Sequence, residues 1–436
     1  MTTSRVDAGT DAANTRVTLG QIFERLFGFD APVRFSAYDG SVGGRADAGI
    51  GLTLVNPRGA SYVATAPNSL GLARAYVRGD LLVDGVHPGD PYELLRLIED
   101  DLHMSRPTPA EALSWIRALG LRTVVPPHPP DEEVLPRQRI GSRNSKRNDA
   151  KSISHHYDVS NRFYELVLGN SMTYSGACYP DEDATLETAQ EHKYDLVARK
   201  LGLTPGRRLL DVGCGWGGMV RHAAKNYGVR ALGVTLSSEQ AAWATARIDA
   251  EGLGHLAEVR HLDYRDVPED QFDAVSSIGF IEHVGVGNYP AHFSFLRSRL
   301  RPDGRLLNQG ITRPDNHHPG IERRGFIVRY VFPNGGITGS GDIVRTIEDS
   351  GLEVHHQENL RPHYARTLQS WSANLTAHWD ECVVEAGLPK AKVWGLYMAG
   401  SRLAFERNRL QLHQILATRT TEQGRSDYPL RPDFGV

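Results

Sequence analysis

Three short stretches of the 436-residue chain carry residue types whose spacing could support chemistry. The first is DVGCGWGG, 211–218, in which Gly213, Gly215 and Gly218 satisfy a GxGxxG spacing. Glycines at such a turn let the backbone bend tightly and let a ligand approach where a Cβ would stand. The spacing alone is shared with nicotinamide-dinucleotide sites. Two residues tip the balance toward a sulfonium cofactor, S-adenosylmethionine: Asp211 just before the loop, and Thr235 where an acid for an NAD ribose would end the next strand. The second stretch, LDYRD, places Asp263 at a strand end, where its carboxylate can accept from an adenine amino group or cap an ordinary turn. In the third, FIEHVG, Glu282 beside His283 could act as a base or anion ligand with a pKa tuned by an apolar pocket, or simply satisfy a loop. His317 and His318, in RPDNHHPG, have no third ligand at metal spacing, so no metal site is expected.

These residues need a scaffold, and the apolar periodicity supplies one. ATLETAQEHKYDLVARKLGL reads as a helix leading into the strand RRLLDV, 207–212. There follow a helix (MVRHAAKNY), a strand (VRALGVT), a helix (SSEQAAWATARIDAEG), a strand (FDAVSSI), a helix (YPAHFSFLRSRLRP) and the strand GRLLNQG. Strands joined by single helices require right-handed crossovers, so the expected fold is α/β, a Rossmann-like doubly wound and mainly parallel sheet over 152–436. Upstream, 1–16 is expected to be a disordered tail and 17–123 a small α+β accessory domain without a catalytic constellation. In it LGQIFERLFG and residues 91–120 read as helical, GIGLTLVNP and ASYVATAP as short strands. Residues 124–151 read as a linker, prolines first and then Arg137, Arg139, Arg143, Lys146, Arg147 and Lys151. That cluster is either a solvated linker face or a patch for anionic lipid headgroups. No aromatics are interleaved with it, which disfavours single-stranded nucleic acid.

Composition narrows the classes further. Lys+Arg 49 against Asp+Glu 52 leaves a net charge of −3, so no global basic field recruits nucleic acid. Hydrophobic content of 40% and charged content of 23% fit a globular chain. Cys178, Cys214 and Cys382 cannot build a disulfide framework and point to a reducing compartment. No apolar run approaches the ~18 residues of a spanning helix, and MTTSRVDAGTDAANTR lacks a signal peptide's apolar stretch. The expectation is a cytoplasmic protein whose membrane contact, at the inner face, is peripheral.

Several segments taken together go further: SISHHYDVSNRFYELVLGNSMTYSGACY (152–179), LLDVGCGWGG, GVTLSSEQ (233–240), IGFIEHVGVGNY (278–289), YVFPNGG (330–336) and LRPHYARTLQSW (360–371). Over about 152–420 the chain resembles the cyclopropane-fatty-acid synthase family of S-adenosylmethionine-dependent lipid methyltransferases. The N-terminal region resembles the small lipid-binding-like domain of the family's longer members. The resemblance implies a class I methyltransferase whose cofactor contacts are Tyr174 and Ser175, the loop glycines Gly213, Gly215 and Gly217 with Asp211, and Thr235, Leu236 and Gln240. Asp263, Tyr264 and Arg265 would line the adenine side. An aromatic such as Tyr174 can hold a sulfonium by cation–π attraction. His155 and His156 would line the cofactor mouth or start a helix. TRPDNHHPGIERRGFIVRYVF would be an interfacial helix at the acyl entrance, or a core-packing helix with a charged face.

The implied reaction begins when a cis double bond of a phospholipid acyl chain attacks the sulfonium methyl and becomes a carbocation. A base, in cyclopropane formers a bound bicarbonate, then removes a proton. The family holds that anion with a Cys, a Glu, a His, a backbone group and a Tyr. Here Glu282 and Tyr364 match, and Ile311 falls at the backbone contact, but Gly176 replaces the Cys and Gln309 the His. Ser401 stands where a late Cys occurs in the family, and Cys178 could partly compensate for Gly176. A weakened or repositioned base gives the first cation time to rearrange by hydride shift. The expected product is therefore a 10-methylene acyl chain, which a separate reductase would convert to a 10-methyl chain. Cyclopropanation is the alternative, and methylation of a small molecule at N or O, or lipid carriage without catalysis, are the competing classes. Double-bond position, headgroup preference and oligomeric state are not legible in the sequence.

Overall fold

The computed structural model describes residues 17–134, 159–317, 325–333 and 335–435. The expected tail, all six basic linker residues, His155, His156 and His318 lie outside the described residues. The chain divides into two compact units, one running up to Gly85 and resuming over Arg96–Pro129, the other formed by Val86–Leu95 with Pro130 onward.

In the first unit the strands β1 (Arg34–Ala37), β2 (Val42–Gly44), β3 (Gly51–Leu54) and β4 (Leu81–Asp84) form one sheet in the order β2-β1-β3-β4. The helix Leu19–Phe27 begins with a capping box: the Thr18 side chain accepts from the Gln21 N–H, and the Gln21 side chain from the Thr18 N–H. The strand expected at ASYVATAP is instead part of the helix Pro57–Thr65. Its β-branched residues are outweighed by a local start signal, since the Asn56 side chain caps Gly59 N–H and Pro57 occupies the first turn.

The second unit holds β5 (Arg208–Val212), β6 (Arg230–Thr235), β7 (Ala257–His261), β8 (Phe272–Ile278), β9 (Leu300–Thr312), β10 (Glu353–Asn359) and β11 (Gln411–Thr418). They form a seven-stranded sheet in the order β10-β11-β9-β8-β5-β6-β7. β5 to β9 run parallel, and β11 and β10 add antiparallel to the β9 edge. Burial on both faces follows from alternation: Leu209 enters the core containing Val197, Met219 and Val220, while Leu210 enters that containing Phe293, Leu296 and Ile347. The chain leaves β5 toward β6 on one side and β8 lies on the other, so a crevice opens beyond the carboxyl end of β5. The βαβ pattern anticipates this half of the sheet. It does not anticipate β10, β11 or the long helices Arg361–Ala377 and Leu388–Glu406. Among the described residues no helix is long and apolar enough to cross a membrane.

Residues 86–95, assigned from sequence to the accessory domain, pack instead with the second unit. The Tyr92 hydroxyl donates to Glu406, and the Arg402 guanidinium lies 3.8 Å over the Tyr92 ring. A Cβ on Gly395 would stand 2.2 Å from the Pro88 carbonyl oxygen, so only glycine lets these backbones meet. Gly395→Ala is expected to destabilise the second unit by about 1–3 kcal/mol. A lowered thermal midpoint, with earlier proteolytic cutting within 86–95, checks this.

Candidate active site

The glycine loop leaves β5 at the crevice. Gly213, Gly215 and Gly217 take φ of +75°, +54° and +74°, a region costly for side-chain-bearing residues. A Cβ on Gly213 would meet Phe280 at 2.4 Å, whereas at Gly215 it would meet nothing within 4 Å, so this side of the loop is open. On Gly217 it would face Ala244, which gives that residue a packing role in the turn. The loop is tied down by the Gly213 and Cys214 N–H groups, both donating to the Val234 carbonyl at 3.0 Å. Asp211 is buried, its Oδ1 accepting from Ser276 Oγ at 2.6 Å. Burial pushes this carboxyl up to about 6, against the opposing pull of the Ser276 hydrogen bond and the Lys193 charge.

Facing the loop, the segment Met172–Ser175 is gripped by one face of the helix Leu186–Leu201. Gln190 Nε2 donates to the Ser175 carbonyl at 2.9 Å, Lys193 Nζ to Ser175 Oγ at 3.0 Å, and the Tyr194 hydroxyl lies 2.8 Å from Thr173 Oγ1. The spacing i, i+3, i+4 puts all three on one stripe. Lys193 is fully buried, and desolvation pulls its ammonium down to about 7 despite the neighbouring Asp211. Tyr174 donates to the Tyr397 hydroxyl at 3.1 Å, and its ring lies 5.4 Å from Trp371, 5.7 Å from Trp394 and 6.1 Å from Tyr164.

Two cavities flank this centre. The first, with about 350 Å³ of empty space, is lined by Leu236, Tyr264, Arg265, Phe280, His283, Val284 and Asn288. Thr235 and Gln240 lie at its edge of the sheet, Thr235 Oγ1 donating to Gln240 Oε1 at 2.7 Å. Asp263 lies two residues past the end of β7 rather than at it. Its Oδ1 accepts from the Arg265 N–H at 2.9 Å and Nε at 2.8 Å, and its Oδ2 from Nη2 at 2.6 Å, so this carboxylate caps the turn. His283 faces this first cavity, and burial lowers its pKa to about 4, which leaves the imidazole neutral. The second cavity is lined by Val331, Val393, Tyr330, Trp394 and Tyr397, with Glu132 and Lys390 among the polar residues. Val328 and Tyr330 are buried, so the described part of the expected interfacial segment packs inward.

Glu282 joins this centre from the short helix Ile281–Val284. Its Oε1 accepts from the Ile311 backbone N–H at 2.6 Å, and its Oε2 is shielded from solvent without a partner among the described residues. Desolvation raises the carboxyl to about 7, against the lowering by the Ile311 bond. Gly310 makes this seat possible, because a Cβ there would stand 2.2 Å from Ile281 Cγ2. Tyr364 packs its ring 4.7 Å from Phe405, and a Cβ on Gly176 would stand 3.0 Å from Tyr364 Cγ. Cys178 is buried, which raises its thiol to about 11, and the charges acting on it are Glu358, Lys200, Lys193 and Arg199. His317 N–H donates to Asp315, and no cluster able to hold a metal ion occurs among the described residues.

Sequence reasoning missed Gln190, Lys193, Tyr397, Trp371, Trp394 and Gly310. The polar stripe on the Leu186–Leu201 helix was readable at helical spacing, but the aromatic cage was not, because it gathers residues more than 190 positions apart.

A family model described as mycolic acid cyclopropane synthetase matches residues 144–415. The chain is 57% identical over 404 residues to the probable fatty acid methyltransferase Rv3720 of Mycobacterium tuberculosis (strain ATCC 25618 / H37Rv), covering 92% of this chain and 94% of that one. The cyclopropane synthase MmaA2 from Mycobacterium tuberculosis superimposes with a TM-score of 0.59 at 32% identity, over 62% of this chain and 98% of that one. The mycolic acid cyclopropane synthase CmaA1, solved with SAH and CTAB, gives 0.58 at 32% identity, again over 62% and 98%. The glycine loop at the sheet's crevice and the extent of these matches lead to one conclusion: the chain belongs to the mycolic acid cyclopropane synthetase family and is an S-adenosylmethionine-dependent methyltransferase.

Proposed function

We propose that this enzyme methylates the cis double bond of an oleoyl chain in a membrane phospholipid and leaves a 10-methylene acyl chain. The observation that carries the reading is the second cavity, whose aromatic and aliphatic wall ends at Tyr397, the hydrogen-bond partner of Tyr174. A hydrocarbon tail has no polar groups to satisfy, so the apolar part of that wall suits it and would keep water from a cation.

The residues around the crevice fit S-adenosylmethionine. The open side of Gly215 leaves room for a ligand against the loop, and the first cavity offers Leu236 and Tyr264 as apolar surfaces for an adenine. Ser175, steadied by Lys193, would hold the polar end of the cofactor near the loop. When bound, the cofactor supplies an electrophilic methyl on a cationic sulfur. Tyr174 would present its ring to that charge, and the rings of Trp371, Trp394 and Tyr397 extend the same electron-rich surface to the cation formed on the lipid. The Tyr174 hydroxyl stays protonated, since burial raises its pKa well above the usual value. With water excluded, the cation has time for a hydride shift to the tertiary centre before a proton is lost. Glu282 and Tyr364 are the groups we place beside that proton.

A phospholipid substrate puts the reaction at a membrane surface, and we assign it to the cytoplasmic face. The methylene product is an alkene that a separate reductase would saturate.

Incubation with methyl-labelled S-adenosylmethionine and oleoyl phospholipid should give vinylidene protons in the NMR spectrum of the product. Cyclopropyl protons would favour ring formation instead, and stearoyl lipid should not be labelled at all. Replacing the buried ammonium tests the cofactor side. Lys193→Met should lower kcat/KM for S-adenosylmethionine by roughly 10- to 100-fold, the cost of one hydrogen bond from a charged donor. Steady-state kinetics at saturating lipid, with the loss in KM more than in kcat, checks it.

A further inference from the structure

We propose that Glu282 removes the proton with its own carboxylate and that no bicarbonate takes part, because the chain's own groups fill the place the family gives to that anion. The inference rests on the lipid-methylation reading above.

Four observations carry it. The Ile311 N–H, which would have to face the anion, is already bonded to Glu282 Oε1 at 2.6 Å. At Gly176 there is no side chain, and a Cβ would crowd Leu412 Cδ2 at 2.7 Å and Tyr364 Cγ at 3.0 Å. Gln309 is committed on both sides of its amide, with Nε2 donating to the Gly176 carbonyl at 3.4 Å and Oε1 accepting from Gln414 Nε2 at 2.9 Å. Gln414 Oε1 in turn accepts from Lys200 Nζ at 2.7 Å, and Lys200 is paired with Glu358. An ammonium can only donate, so Lys200 fixes the direction of every amide along this buried row and aims the Gln309 N–H at Gly176.

Charge decides the rest. A bicarbonate here would lie against the Glu282 carboxylate, and two like charges out of water repel strongly. A histidine could carry the compensating positive charge. Gln309 is neutral, and the Lys200 ammonium is already balanced by Glu358. What remains is Glu282 Oε2, shielded from solvent and without a partner among the described residues.

The step balances without another reactant. The alkene π pair forms the new carbon–carbon bond as the carbon–sulfur pair returns to sulfur. A neighbouring hydrogen migrates with its electron pair and leaves a tertiary cation. Oε2 takes a proton from the added methyl, and that C–H pair becomes the exocyclic double bond. The carboxyl, raised to about 7 by burial, must be ionised to do this, so activity is present above that pH and is lost as pH falls through it. Among the described residues, Tyr289 of the helix Tyr289–Arg299 and Tyr397 of the helix Leu388–Glu406 interact electrostatically with Glu282. Both phenols are pushed upward and His283 is held near 4, so none changes charge around pH 7.

The test uses the full-length enzyme with oleoyl phospholipid vesicles and labelled S-adenosylmethionine, in buffer freed of carbon dioxide and again with added sodium bicarbonate. Equal rates and the same product in both, with an acidic limb near pH 7 in kcat/KM, are expected. Labelled lipid that forms more than tenfold faster with bicarbonate overturns the proposal alone, while no labelled lipid in either buffer overturns the underlying reading with it. Glu282→Gln should lose roughly 10²- to 10⁴-fold in turnover yet bind S-adenosylmethionine unchanged in equilibrium dialysis, which shows that it has folded. A variant that binds the cofactor and turns over normally also overturns the proposal.

Discussion

Removing a carboxylate from water costs several kcal/mol unless hydrogen bonds or opposite charges replace the lost solvation. Among the described residues near the carboxyl edge of the catalytic unit's sheet, Asp211 and Glu282 are two such groups, and much of the architecture answers to them. Asp211 is compensated twice, by the Ser276 hydroxyl and by the Lys193 charge, and its pKa rises only to about 6. Glu282 accepts from the Ile311 backbone N–H, no charged group among the described residues compensates it, and it rises to about 7. Both carboxyls rise by similar amounts from their usual values; what distinguishes them is that Asp211 has a hydroxyl and a cation beside it, while Glu282 keeps Oε2 without a partner among the described residues.

The Ile311 N–H is available to Glu282 because two neighbouring strands have unequal reach. β8 pairs with β9 as far as Ile278 opposite Gln309, and the Gly279 N–H then closes the ladder on the Gln309 carbonyl. β9 continues to Thr312, supported on its other side by β11. Ile311 therefore points an N–H toward a strand that has already turned away, and a backbone donor left in the interior must find a partner. Glu282, on the helix that follows β8, is that partner, and Gly310 lets the helix approach. The antiparallel addition of β11 thus does more than extend the sheet. It steadies the part of β9 that presents the donor, and through Gln414 it also fixes Gln309.

What the sequence made legible and what it hid divide along chain distance. The glycine loop, Asp211 and the strands around them are local signals, because positive φ and strand–turn–helix alternation are written in adjacent residues. Glu282 and His283 were also visible as a pair, but their separation into two environments was not. His283 faces the cavity beside Tyr264, while Glu282 reaches β9. β10 and β11 went unread because an antiparallel addition at a sheet edge leaves no βαβ rhythm. The ASYVATAP helix went unread because its start signal, Asn56 and Pro57, precedes the segment whose β-branched residues suggested a strand. The Gln309–Gln414–Lys200 row joins residues more than 100 positions apart, and no spacing rule reaches that far.

The identity of the base bears on the product through time rather than through position. Ring closure and methylene formation both take a proton from the added methyl, so a base placed for one is placed for the other. They differ in whether a hydride has moved first. A carboxylate whose Oε1 is anchored on Ile311 has one oxygen left and little freedom to follow a cation along the acyl chain. A mobile anion could turn toward the methyl as soon as it was transferred. Holding the base on the protein lengthens the interval in which the hydride can migrate, provided water is kept from the cation. On this argument the replacement of the family's Cys and His by Gly176 and Gln309 and the proposed methylene product have a common origin: an enzyme that does not bind a free base would give its cation time to rearrange.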